Sequence, residues 1–244
     1  MSLMIRLYQF PISHFCEKAR WALDHKGLDY ELKNLLPGLH SRTTTKLARH
    51  SSVPILVEDH HVIQGAAEII TYLDEQYPDK PLTPKDDRTR QQALEWERYL
   101  DKEIGIHLRR CAYHILLNYP TVVIGFFTQD GPWYGKLLLK AMFPKLKAAM
   151  RERMKINDET AKVSREHLAN AIDRLQQHLG ENRFIVDGRF TRADLSAAAL
   201  LAPLRMPDKY GLNWPAQIPE EFQALVKEFE CKTAWVDDLY RDYR

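Results

Sequence analysis

The sequence predicts a two-part chain: a small α/β domain over residues 1–79, a linker over 80–87 and an all-α domain over 88–244. Three observations predict it. Short β-rich runs and helical patterns alternate only in the stretch before Pro78. A polar stretch punctuated by Pro78, Pro81 and Pro84 and carrying Asp79 and Lys80 follows, the composition of an inter-domain linker. Beyond it strand signals largely vanish, and apolar residues recur at helical spacing.

Met4 to Phe10 is an apolar, β-rich run closed by Pro11 and reads as the first strand. Glu17 to His25 places Ala19, Trp21, Ala22 and Leu23 at near-helical spacing before Gly27, which suits a C-terminal cap. Leu28 to Leu35, Val53 to Val57 and His61 to Ile63 read as three further strands, the last two joined through Glu58-Asp59-His60 as a hairpin. Ala66, Ile69, Ile70 and Leu73 follow the i, i+3, i+4, i+7 pattern of an amphipathic helix over Ala66 to Tyr77. The order is therefore βαβ, loop, ββα. In the second domain Arg88 to Leu117 reads as one long helix, and Val163, Leu168, Ile172, Leu175 and Leu179 mark another before Gly180. Thr191-Arg192-Ala193-Asp194 has the form of a capping box, with Phe190 and Leu195 at the hydrophobic-staple positions. A buried helix is expected from there to about Leu204, and Pro219 and Trp235 bracket the final helical segments.

With 244 residues and 45% hydrophobic content the chain can bury real cores. Its 35 Lys plus Arg against 33 Asp plus Glu give a formal charge of +2, with no footprint for a nucleic-acid or anionic-membrane partner. Cys16, Cys111 and Cys231 lie far apart, without C-x-x-C or metal-ligand spacing, so neither a disulfide framework nor a metal site is expected. A reducing, cytoplasmic location fits that usage. The leading Met1-Ser2-Leu3 reads as a start or cloning remnant rather than a targeting signal. No apolar run reaches the roughly 18 residues that span a bilayer.

A βαβ unit followed by a hairpin and a helix, with a proline opening the third strand, is the thioredoxin-like arrangement. Its reactive group sits in the first strand-to-helix turn, where unpaired N–H groups and the helix dipole stabilise a thiolate. Ser13-His14-Phe15-Cys16 falls in that turn. Ser13 is open to two readings, a plain helix N-cap or a hydroxyl that serves a thiolate. Cys16 is likewise open: Ser13-x-x-Cys16 has the spacing of a redox C-x-x-C with its first cysteine replaced, while a residue one turn inside a helix is commonly a small core residue. Cys111 and Cys231, each within a helical pattern, read as core.

The chain resembles the glutathione transferase superfamily over nearly its whole length, in the manner of a serine-type, bacterial-like cytosolic member. The resemblance is carried by Ser13-His14-Phe15 with Lys18-Ala19-Arg20, by Ser52-Val53-Pro54, by Ile69-Ile70-Thr71-Tyr72-Leu73-Asp74 and by Gly188-Arg189-Phe190-Thr191-Arg192-Ala193-Asp194. Their order and spacing together are specific, although each alone is weak. The resemblance implies glutathione as co-substrate, no metal, and a small apolar electrophile. Its Ser13 hydroxyl would donate to the glutathione sulfur, and a detoxifying homodimer would be the working form. It also implies a cis Pro54 that lets the Val53 backbone exchange hydrogen bonds with the glutathione peptide. His40 matches the place of a histidine near the glycine carboxylate, and a solvated loop histidine is the other reading.

The departure from the family lies at Gln64-Gly65-Ala66. There the family usually carries an acidic residue or Gln followed by Ser or Thr, side chains that hold the γ-glutamyl amine and carboxylate. Gly65 and Ala66 supply neither, although their N–H groups at a helix start can receive a carboxylate, and Gln64 stands one residue away. Loss of one charge-assisted hydrogen bond weakens binding by about 1.5–3 kcal/mol. The electrophile pocket is expected from Phe15, Arg109, Tyr113, His114 and Leu117. Phe126, Phe127, Trp133 and Tyr134 line that pocket, form a partner surface, or pack between helices. Lys145, Lys147, Arg151, Arg153 and Lys155 read as a solvated face rather than a membrane-binding one. Three functions are thus on the table: a transferase using Ser13, a thiol-disulfide oxidoreductase using Cys16, and a binding protein that keeps the fold without efficient use of glutathione.

Overall fold

In the computed structural model, residues 4–244 are described; Met1-Ser2-Leu3 lie outside the described residues. β1 (Ile5–Gln9) runs down the centre of the first domain and turns at Pro11 into α1 (His14–Lys26). That helix begins three residues before Glu17, because Ser13 caps it: Ser13 Oγ accepts the Cys16 amide at 3.3 Å. It ends at Gly27, whose φ of +68° is the left-handed conformation of a glycine cap. β2 (Tyr30–Asn34) pairs parallel with β1, and α2 (His40–Leu47) fills what the sequence read as loop. β3 (Ile55–Glu58) and β4 (His61–Gln64) form the expected hairpin, with β3 antiparallel to β1. The four strands lie in the order β2-β1-β3-β4, and α3 (Ala66–Gln76) closes the thioredoxin-like unit.

The second unit is helical throughout: α4 (Asp87–Leu100), α5 (Ile106–Leu116), α6 (Pro120–Thr128), α7 (Gly135–Arg153), α8 (Asp158–Leu179), α9 (Arg192–Arg205), α10 (Glu220–Thr233) and α11 (Trp235–Tyr243). The single long helix expected over Arg88 to Leu117 is α4 and α5 joined through a π-helical turn, Asp101–Gly105. A wider turn of this kind rotates everything downstream relative to a regular helix. α9 is buried from Arg192 to Leu204, which its alanine-rich sequence permits. Its cap is the reciprocal pair read from the sequence, with Asp194 accepting from the Thr191 amide at 2.8 Å and the Ile185 amide at 2.7 Å. Cys111 is buried, but Cys231 is exposed and lies off the buried stripe of α10, Phe222, Leu225, Phe229 and Thr233; the core reading of Cys231 is corrected.

The two units meet along α1 and α9 across a buried polar seam. Lys18 Nζ lies 3.1 Å from Glu97 and 2.6 Å from Asp101, and Arg192 Nε lies 2.6 Å from the other Glu97 oxygen. Arg192 also donates to Thr71, Thr83 and the Ala67 carbonyl, so one guanidinium ties α3, the linker and α4 together. The linker itself is pinned by Asp74, which receives the Leu82 and Thr83 amides at 3.0 and 2.8 Å. No helix among the described residues is long and apolar enough to cross a membrane.

Candidate functional site

A cavity of about 360 Å³ opens between the first turn and the helical domain. Ser13, His14 and Phe15 form its floor, Val53 and His40 one side, and Arg109, Tyr113, Phe126 and Phe127 the other. Ser13 stands at the helix start with φ −74° and ψ 117°, an extended residue leading into α1. Its oxygen accepts the Cys16 amide, and its hydroxyl also lies within reach of the Cys16 sulfur. A hydroxyl in that state can donate to an anion in the cavity while the positive end of α1 adds to the attraction.

Cys16 lies one turn inside α1 and is fully buried. Burial pushes its thiol pKa up, against the hydrogen bond from the Ser13 side and the nearby Arg20 charge. A thiol so placed is poorly exposed to any disulfide and poorly ionised. His14 is also buried; burial first and the Arg109 charge second bring its pKa down to about 3, against the Gly105 carbonyl. Its Nε2 has no hydrogen-bond partner among the described residues.

The Val53–Pro54 peptide is cis. The amide and carbonyl of Val53 take part in none of the backbone hydrogen bonds of the turns and loops, which leaves both at the cavity wall for an extended peptide. His40 is the first residue of α2 rather than a loop residue. Its Nδ1 accepts the Gly38 amide at 3.1 Å, which places the proton on Nε2 and makes that nitrogen a donor. Burial, and then the Arg153 charge, hold its pKa below the ordinary imidazole value.

Gln64 departs from its expected role. Its Nε2 donates to the His50 and Ser52 carbonyls at 2.7 and 2.8 Å, and its Oε1 accepts the His50 amide at 3.2 Å. The side chain is a clamp on the loop before Val53, with both amide protons engaged. Gly65 has φ +110° and ψ 143°, a region that essentially only glycine occupies. A Cβ built there would collide with the carboxylate of Glu68, which folds back over the start of α3. Glu68 is exposed and has no hydrogen-bond or ion-pair partner among the described residues. Sequence reasoning missed it, because nothing in a one-dimensional pattern shows a side chain turning back by one helical turn. Ala66 is buried and offers only its amide.

On α5 the cavity face is Arg109, Ala112, Tyr113 and Leu116, the i, i+3, i+4, i+7 stripe of one helix side. His114 and Leu117 lie off that stripe. His114 Nε2 pairs with Asp158 at 2.8 Å on the surface, and Leu117 is buried in the core; both expected pocket residues are corrected. Phe15 sits against Gly105, where a Cβ would lie 2.6 Å from the ring. The Arg109 guanidinium lies 5.9 Å from the centre of the same ring. Tyr113 stacks on Phe127 at 6.3 Å, and burial pushes its hydroxyl pKa up. The aromatic connection divides: Phe126 and Phe127 line the cavity, whereas Trp133 is 92% exposed and Tyr134 faces solvent beside it. Of the basic residues on α7, Arg153 reaches the cavity.

Outside the cavity, Glu103, His107 and His167 bring potential metal-ligating atoms within 4.8 Å of one another. The two imidazoles are stacked at 4.4 Å with planes 3° apart. Their in-plane lone pairs therefore lie in separate parallel planes and do not converge on one ion.

The family profile described as glutathione S-transferase, N-terminal domain, matches residues 7–81, and that described as glutathione S-transferase, C-terminal domain, matches residues 139–225. Glutathione S-transferase Z2 of Arabidopsis thaliana is 41% identical over 85 residues, which are 34% of this chain and 38% of that protein. The match thus spans well under half the length of that relative. In three dimensions the chain is similar to glutathione transferase GSTFuA3 from Phanerochaete chrysosporium, with a TM-score of 0.70, 18% identity, and 100% and 98% of the two chains covered. It is also similar to a Methylobacterium radiotolerans glutathione S-transferase in complex with glutathione sulfonate, with a TM-score of 0.57, 21% identity and coverage of 96% and 93%. At these identities the structural likeness speaks for the fold.

Proposed function

The chain belongs to the glutathione S-transferase family, and from that premise we propose that it transfers glutathione, as thiolate, to small electrophiles that enter the apolar cavity. The observation that carries the reading is Ser13: a hydroxyl held at the start of α1 in the cavity lining, with its oxygen on the Cys16 amide. Binding puts the thiol at this hydroxyl and at the positive end of the helix, so that its proton is lost to solvent and the thiolate is held. The sulfur then attacks an electrophilic carbon: a C–S bond forms, and the leaving group departs with its bonding pair. Ser13 forms no covalent bond in this scheme.

The cysteinyl backbone of the tripeptide lies along Val53, its glycine carboxylate near the Nε2–H of His40, and its γ-glutamyl carboxylate at the amides that open α3. Glu68 supplies the negative charge for the γ-glutamyl amine, over the space that Gly65 leaves open. The buried, poorly ionised Cys16 favours this over a thiol-disulfide exchange.

The test is conjugation of glutathione to a generic aryl halide. Ser13→Ala is expected to lower kcat/KM about ten- to a hundred-fold, as for loss of one hydrogen bond to an anion, while Cys16→Ala keeps the rate within a few-fold. The reverse ranking would assign the chemistry to Cys16. No conjugation together with no thermal shift at millimolar glutathione would make the chain a binding protein instead. The proposed assembly is a homodimer, which light scattering checks: twice the mass of one chain supports it, and a single-chain mass in the active sample refutes it.

A further inference from the structure

Arg109 is a cation without an answering charge. It lines the apolar cavity, makes no hydrogen bond or ion pair among the described residues, and rests beside the Phe15 ring. The same arginine forms one wall of an adjoining hollow of about 270 Å³, together with Arg110, Arg153 and Lys155. Neither hollow has an aspartate or glutamate in its lining. Arg110 is held by the Met154 carbonyl at 3.0 Å and the Ser164 hydroxyl at 2.7 Å, neither of them an anion. The Tyr113 hydroxyl, one helical turn from Arg109, also lacks a hydrogen-bond partner among the described residues. His14, another residue of the cavity lining, has a buried Nε2 without a partner among the described residues and feels the Arg109 charge.

A guanidinium taken partly out of water, with cations and no carboxylate around it, is unfavourable until an anion arrives. Burial accordingly draws the Arg109 pKa down. The cavity body is otherwise apolar, with Phe126, Phe127, Leu146 and Met150 among its walls. A ligand complementary to both parts has a hydrophobic body and one acid group at the arginine end.

We propose that the second substrate of this site is an apolar molecule bearing a carboxylate, which Arg109 receives while the body fills the cavity. The proposal rests on the transferase reading only in naming the ligand a second substrate. The alternative occupant of Arg109 is the glutathione thiolate, and the two differ in what they predict. Stabilisation of the thiolate affects every electrophile equally, whereas recognition of an acid affects only ligands that carry one.

Calorimetric titration of the full chain with naphthylacetate and with its neutral analogue naphthylacetamide, in saturating glutathione and without it, tests the proposal. The acid is expected to bind about ten-fold or more tightly than the amide, and the preference to shrink with added salt. Arg109→Met is expected to abolish the preference without lowering Tm, since it removes a partly buried, unpaired charge, and Arg109→Lys to keep part of it. Equal affinity of the wild-type chain for acid and amide overturns the proposal without any variant, as does a preference that survives in Arg109→Met. A glutathione thermal shift measured in parallel separates the two readings: its absence in the wild type sinks the transferase function, while an intact acid preference still assigns Arg109.

Discussion

At Ser13 a single oxygen can act in two directions. A lone pair receives the Cys16 amide at 3.3 Å, and on the proposed reading the O–H turns to a sulfur anion in the cavity. On that reading the N-cap and the donor are one residue in one geometry, so the two readings of Ser13 are compatible. Cys16 is fully buried and is not among the residues that line the cavity. At the other end of the proposed glutathione site, Gly65 and Glu68 stand side by side. Gly65 has no side chain, and its φ of +110° allows none without strain. On the proposed reading the carboxylate for the γ-glutamyl amine comes instead from Glu68, folded back by one turn. Glu68→Gln keeps the shape and removes the charge, so the KM for glutathione is expected to rise about ten-fold or more with kcat little changed. Steady-state kinetics at varied glutathione checks this, and an unchanged KM would remove Glu68 from the site. The place of Ser13 was legible as a strand, a proline and a helix start. Glu68 was not, because its role depends on a glycine backbone angle and a side-chain direction.

Among the elements, α5 shows best what periodicity can and cannot show. The apolar stripe over Arg88 to Leu117 correctly marks helix, but α5 is packed on more than one side, with Leu108 and Cys111 as buried as Leu116 and Leu117. A helix buried on two faces carries no sequence mark for the one that lines a cavity. The π-helical turn at Asp101–Gly105 further rotates α5 relative to α4. That is why His114 and Leu117 were expected in the pocket and Ala112 and Leu116 occupy it. The cap of α9, by contrast, was plain in the sequence. Asp194 is buried and accepts from the Ile185 amide and from the amide and hydroxyl of Thr191. Burial raises its pKa to about 6 against these same donors. Asp194→Ala leaves three buried donors unpaired, and a loss of about 2–4 kcal/mol is expected in urea unfolding. A loss below about 1 kcal/mol would mean that water replaces the carboxylate there.

For the whole molecule, the cavity exists because two units of different architecture are fixed on each other. Lys18, Glu97, Asp101 and Arg192 form the buried polar seam between α1, α4 and α9. Asp74 draws the linker onto α3. The alternation of strand and helix before Pro78 and the helical remainder after it were legible from composition and spacing alone. The seam was not, since Lys18, Glu97 and Arg192 are far apart in sequence and nothing in the spacing pairs them. Glutathione is proposed to lie against the first unit and its acceptor against the second, with Ser13 at the boundary. The most direct measurement is the ultraviolet thiolate absorbance of glutathione titrated with pH on the wild-type chain and on Ser13→Ala. The account predicts that bound glutathione ionises well below its free pKa in the wild type and that Ser13→Ala returns it toward the free value, with glutathione still bound. An equally depressed pKa in both proteins would contradict it.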